Sequence, residues 1–284
     1  MIPTTSSDSI PAPSAPPELT AADAAVMETF VVPRYLRLYG ELLQQMLLAG
    51  EASRIVHLGC RTGYPDRQLC ERLPNATVVG VDRSAFALEL ARNKAKVSGE
   101  GRIEYHQVSE LSTRLPDAAF SHAITLHPIV STEERFRLLH EAARLIYPGG
   151  QVLMALPLRG SYQEVGDLLR EFALKYDDAG FGTAVDLAMA TRPTIETLSE
   201  EIEAVGLEDV DVEIRQTTLT FDNGRSLFED PITRLLVVPE LRAGIGVQDL
   251  GRAMAYVRDS IDKYWAESKF ELSVNVGCAS ARRY

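Results

Sequence analysis

Between residues 54 and 157 short apolar runs alternate with segments of helical spacing, and this alternation restricts the fold more than any other feature of the chain. RIVHL (54–58), ATVVGVD (76–82), IEYHQVS (103–109), AFSHAITLHPIV (119–130) and QVLMALP (151–157) read as strands. PDRQLCERL and SAFALELARNKAKVSG read as helices, the second with Ser84 as its N-cap. STEERFRLLHEAARLI is a third helix, opened by a Ser-x-x-Glu capping box at Ser131 and Glu134. Near-continuous apolar strands separated by helices form a mostly parallel sheet covered on both faces. The fold class is α/β.

The flanking regions follow other patterns. Residues 1–19 are rich in Pro, Ser and Thr and lack the apolar groups that would offset ordering entropy, so a disordered tail is expected. FVVPRYLRLYGELLQQMLLAG (30–50) has one broad apolar face, and Gly50 is expected to end its helix. Residues 158–204 and 225–268 read as helical insertions, or a lid, within a single domain spanning 20–284. EDVDVEIRQTTLTF and FELSVNVGCASAR supply two further strands.

Charge and composition exclude several functions. A net charge of −11 opposes phosphate binding, so no nucleic-acid partner is expected. The three cysteines, Cys60, Cys70 and Cys278, form no CxxC pair and read as free thiols of a reducing compartment. The five histidines show no metal-ligand spacing, so no metal is expected. No Lys or Arg precedes Arg34, and no apolar run reaches the length of a membrane span. A cytoplasmic location with no membrane partner is the expectation.

The loop after the first strand, HLGCRTG (57–63), lies where open α/β sheets bind ligands. A dinucleotide fingerprint needs glycine at 59, 61 and 64, and the chain has Gly59, Arg61 and Tyr64. The loop of S-adenosylmethionine (SAM) enzymes needs glycine at 59, 61 and 63, and only position 61 departs. Asp82 closes the next strand, where a carboxylate can accept hydrogen bonds from both hydroxyls of a ribose.

VHLGCRTGY, VVGVD, LSTRLPDAAFSHAITLH and RFRLLHEAARLIYPGGQVLMALP resemble the class I SAM-dependent methyltransferases, most of all those acting on small or carrier-bound molecules. The resemblance implies a Rossmann-like sheet of seven strands, the last antiparallel, with a helical insertion after strand 5. It implies SAM as cofactor, held by His57, Gly59, Cys60, Gly63, Asp82, Arg83 and Ser109, with the adenine near residues 108–110. A small-molecule or carrier-bound acceptor is implied as substrate.

The chain departs from that family at defined places. His57 stands where an acidic residue is usual, Arg61 replaces the middle glycine, Val108 cannot accept from an adenine amino group, and Ser121 replaces an aspartate. Weakened contacts at His57, Arg61 and Val108, at about 1 kcal/mol each, cost about two decades of affinity. No catalytic residue stands out. His127, Tyr35 and Tyr162 are candidates for the acceptor side, each equally readable as packing. The alternative to an active methyltransferase is a pseudoenzyme of the same fold that binds a protein partner.

Overall fold

The structure is a computed structural model that describes residues 18–50, 52–98, 101–110, 112–246 and 250–284. The expected disordered tail falls outside the described residues except for Glu18 and Leu19.

Helix α1 (Ala21–Val26) starts from a reciprocal capping box between Thr20 and Asp23. It continues without a break through a π-helical stretch (Met27–Leu36) into α2 (Arg37–Met46). Proline inside a regular α-helix removes a hydrogen bond and crowds the preceding turn. Here Pro33 falls within the wider π turns and the helix runs on. The helix ends at Met46 rather than at Gly50, because Leu47 turns to extended backbone (ψ 122°) and buries its side chain.

Seven strands form one sheet: β1 (Arg54–Leu58), β2 (Thr77–Asp82), β3 (Ile103–Gln107), β4 (Phe120–Leu126), β5 (Ile146–Pro157), β6 (Glu208–Phe221) and β7 (Phe270–Arg282). Their order is β3-β2-β1-β4-β5-β7-β6, with β1 to β5 parallel and β7 antiparallel to both of its neighbours. The Rossmann-like sheet expected from the sequence is therefore present. β4 stops at Leu126, short of the expected Val130, because His127 takes a left-handed backbone (φ 49°). The PGG segment lies inside β5 rather than before it, and the β4–β5 register shifts between Phe120 and His122 to absorb it.

Helices α3 (Asp66–Arg72), α4 (Ala85–Ser98) and α5 (Thr132–Leu145) connect the parallel strands. Between β5 and β6 lie α6 (Gln163–Lys175), α7 (Ala179–Ala190) and α8 (Ile195–Ala204). Between β6 and β7 lie α9 (Gly224–Glu229), a second π stretch (Thr233–Val237), α10 (Val238–Ile245) and α11 (Gly251–Tyr264). Successive strand residues face opposite sides, so Ile55 joins the core under α2 and α3 while Val56 and Leu58 join the one under α5. No helix among the described residues is long and apolar enough to cross a membrane. Among them, no cluster of His, Cys, Asp and Glu is placed to hold a metal ion.

Candidate cofactor site

Strand order reverses between β1 and β4, so the carboxyl ends of β1, β2 and β4 open onto one crevice. The loop at the tip of β1 is clamped to β2, with the N–H groups of Gly59 and Cys60 both donating to the Val81 carbonyl at 2.9 and 3.1 Å. Gly59 has φ 69°, and a side chain built there would meet nothing within 4 Å. Its missing Cβ leaves open space for a ligand. Gly63 has φ 79°, and there a Cβ would stand 2.8 Å from Tyr105 Cζ and closer still to the hydroxyl. That glycine makes room for a tyrosine.

The same tyrosine belongs to a buried polar chain. His57 Nδ1 lies 2.6 Å from Asp66 Oδ1, and the Tyr105 hydroxyl donates to Asp66 Oδ2 at 2.9 Å. Asp66 is the first residue of α3 and has no solvent exposure. The acidic group absent at position 57 is thus supplied from nine positions along the chain. His57 Nε2 is buried and has no hydrogen-bond partner among the described residues.

Asp82 shapes the loop as well as the crevice. Its Oδ2 accepts from the Arg61 N–H and its Oδ1 from the Ser84 N–H, each at 2.8 Å. Each carboxylate oxygen accepts more than one hydrogen bond, so capacity remains for a ligand. Arg61 has φ 47°, a left-handed backbone that glycine adopts more readily. Its side chain crosses the crevice and donates to the Leu126 carbonyl at 2.8 Å and the His127 carbonyl at 2.6 Å. Burial lowers the pKa of this guanidinium, against the opposing pull of Asp82.

A cavity of about 530 Å³ lies in front of this loop. Gly59, Arg61, Asp82, Arg83, Val108 and Glu110 line one side. The other side carries Pro128, Ile129 and Val130 after β4 and Leu235 and Pro239 from the segment after β6, with Leu19, Thr20 and Met27 closing the N-terminal edge. Behind Arg61 the space shrinks to about 10 Å³ between His57, Gly59, Cys60 and Leu126, room for one water at most.

Beneath the crevice sits a second polar group. The Tyr35 hydroxyl lies 2.7 Å from that of Tyr39 and 3.1 Å from His127 Nε2, and it also bonds the Tyr162 hydroxyl. Arg192 stacks over the Tyr162 ring at 4.5 Å, and its Nε lies 2.6 Å from Glu240 Oε1. Burial pushes the three phenols well above their ordinary pKa and His127 down to about 3, the latter helped by Arg61. His127 is therefore a neutral ring. The acceptor-side candidates Tyr35, Tyr162 and His127 do meet, but all are fully buried and none lines the cavity. Tyr39 completes the group, and its i, i+4 spacing from Tyr35 is the sequence signal for it.

The methyltransferase-domain family profile matches residues 55–150, the stretch that carries β1 through the start of β5. Over that stretch the chain is similar to class I SAM-dependent methyltransferases. It is 26% identical over 133 residues to methyltransferase GfsG of Streptomyces halstedii, covering 46% of this chain and 48% of that one. It is 31% identical over 118 residues to malonyl-[acyl-carrier protein] O-methyltransferase of Priestia megaterium, covering 39% of each. The chain thus spans less than half the length of either curated relative. In fold it is similar to Haemonchus contortus phosphoethanolamine N-methyltransferase 2, solved with phosphomonomethylethanolamine and S-adenosylhomocysteine. That likeness has a TM-score of 0.56 at 15% identity and covers 93% of this chain and 58% of the other.

Measured against the methyltransferase cofactor, the two halves of the site differ. The nucleoside half fits, since the cavity is open, Gly59 faces empty space and Asp82 lines the wall. The amino-acid half is filled by the Arg61 side chain. Of the residues expected from the sequence, Gly59, Asp82 and Arg83 line the cavity, with Val108 and Glu110 on either side of Ser109. His57 and Cys60 line only the small void, and Gly63 packs on Tyr105. Ser121 is a structural replacement, its hydroxyl bonding both the N–H and the carbonyl of Arg54. The walls from Leu19 to Met27 and from Arg234 to Pro239 carry no motif that a sequence reading could find.

Proposed function

We propose that the chain transfers the S-methyl group of SAM to a small or carrier-bound acceptor. The observation that carries this reading is the open cavity at the tips of β1 and β2, bounded by Gly59 and Asp82. When bound, SAM supplies a methyl carbon to which the acceptor's lone pair bonds as the carbon–sulfur pair withdraws to sulfur, leaving S-adenosylhomocysteine. Asp82 receives the ribose hydroxyls, and Arg83, Val108 and Glu110 flank the base. Ile129, Val130, Leu235 and Pro239 present an apolar wall to the acceptor.

The described lining contains no histidine, lysine, cysteine or tyrosine. An acceptor that arrives already nucleophilic, such as a carboxylate or thiolate, needs position and dryness rather than a strong base. The relative named for malonyl-[acyl-carrier protein] supports a carrier-bound acceptor of that kind. A second reading, a catalytically silent protein of the same fold that serves a protein partner, is favoured by one observation, the Arg61 side chain lying across the crevice. Calorimetric titration with S-adenosylhomocysteine separates the two. One-to-one binding is expected, and no heat at millimolar ligand removes the methyltransferase reading and leaves the second.

A further inference from the structure

Two carbonyls hold the Arg61 side chain, and His57 lines the small void beside it. The carbonyls are those of Leu126 and His127, both now satisfied by the guanidinium. A third polar atom is His57 Nε2. Asp66 accepts at Nδ1, and in the tautomer with its proton there the ring lone pair lies at Nε2. That atom is buried without a partner among the described residues, and His57, Arg61 and Leu126 line the same small void. A buried ring nitrogen without a partner, on the void that Arg61 and Leu126 also line, is what an unfilled place in a cation seat requires.

We propose that Arg61 is an internal occupant of a primary-ammonium seat formed by Leu126 O, His127 O and His57 Nε2, and that an amino-acid tail enters only by displacing it. A primary ammonium has three donors for these three acceptors, whereas the planar guanidinium reaches two of them. The left-handed backbone of Arg61 and the hydrogen bond from its N–H to Asp82 fix where the side chain starts, so the exchange is a rotation of the side chain about a held backbone. The inference rests on the proposed SAM reading and adds a ligand preference to it. The native protein favours nucleosides without an amino-acid tail more than its similarity to SAM-dependent methyltransferases implies.

The test is calorimetry with two probes, S-adenosylhomocysteine, which carries the tail, and 5′-methylthioadenosine, which lacks it. Native protein is compared with Arg61→Gly, which suits the backbone angle, and with Arg61→Met, which keeps an apolar stem without the charge. Thermal denaturation establishes that each variant is folded. The expected result is a gain in S-adenosylhomocysteine affinity of roughly tenfold or more in a folded variant, with methylthioadenosine binding changed by less than about threefold. Unchanged or weaker S-adenosylhomocysteine binding in both variants overturns the inference, and the SAM reading stands if the native protein binds that ligand. Absence of binding of either probe to any of the proteins removes both.

Discussion

Adding one methyl group at Gly63 and at Gly59 separates a glycine that serves packing from one that serves the ligand. Both have a left-handed backbone, which costs an alanine about 1–2 kcal/mol. At Gly59 that is the whole penalty to stability, because nothing lies within 4 Å of the new carbon. At Gly63 the carbon would press into Tyr105, whose hydroxyl is held by the buried Asp66, and would stand 3.2 Å from Ala91 Cβ. Overpacking of this kind adds about 1–3 kcal/mol. Gly63→Ala is therefore expected to destabilise by roughly 2–5 kcal/mol, read as a lower midpoint in urea at unchanged slope. The steric part belongs to one neighbour. In a double-mutant cycle with Tyr105→Ala, the two changes together should cost less than their sum by about 1 kcal/mol or more. Gly59→Ala should show the opposite profile, with a small loss of stability and weaker binding of S-adenosylhomocysteine, because its methyl group points into the open cavity. Equal stability losses at the two glycines, or zero coupling between Gly63 and Tyr105, would refute the packing argument.

Two further outcomes are expected. Asp82→Asn leaves one oxygen for the Arg61 and Ser84 N–H groups and turns an amide donor toward the loop, so S-adenosylhomocysteine affinity should fall roughly 10- to 100-fold, measured by calorimetry beside a thermal melt. His127 bears on the acid limb of stability. Its folded pKa of about 3 lies below the unfolded value near 6.5, so only the unfolded chain takes up its proton as pH falls from about 6.5 towards 3. This group should withdraw about 1.4 kcal/mol of stability per pH unit across that window and nothing above it. His127→Gln should flatten the urea-derived stability profile between pH 6 and 4, and a slope equal to that of the native protein there would contradict the assignment.

The strands and helices of the first half were legible because their signals are local. Apolar runs at 54–58, 76–82 and 151–157, and the capping box at Ser131, depend on nearest neighbours in the chain, and each is present, the third within a strand that begins earlier, at Ile146. Gly59 and Asp82 were legible for the same reason, since strand ends mark where the crevice opens. The helix through Pro33 was read from its apolar spacing, but its π-helical form was not, because that form depends on the packing of Val31, Val32 and Tyr35 into the core.

Residues 54–157 by themselves determined a parallel α/β sheet and the place of its crevice at the tips of β1 and β2. Hydrophobic period and turn chemistry act over a few residues, and they survive in any tertiary setting. What each polar side chain does was decided only by the folded structure. Asp66 supplies the carboxyl group that position 57 lacks, Gly63 serves Tyr105, and Arg61 reaches carbonyls sixty-five and sixty-six positions away. A buried polar group must take whichever partner the fold brings within about 3 Å, and the order of residues along the chain does not specify that partner.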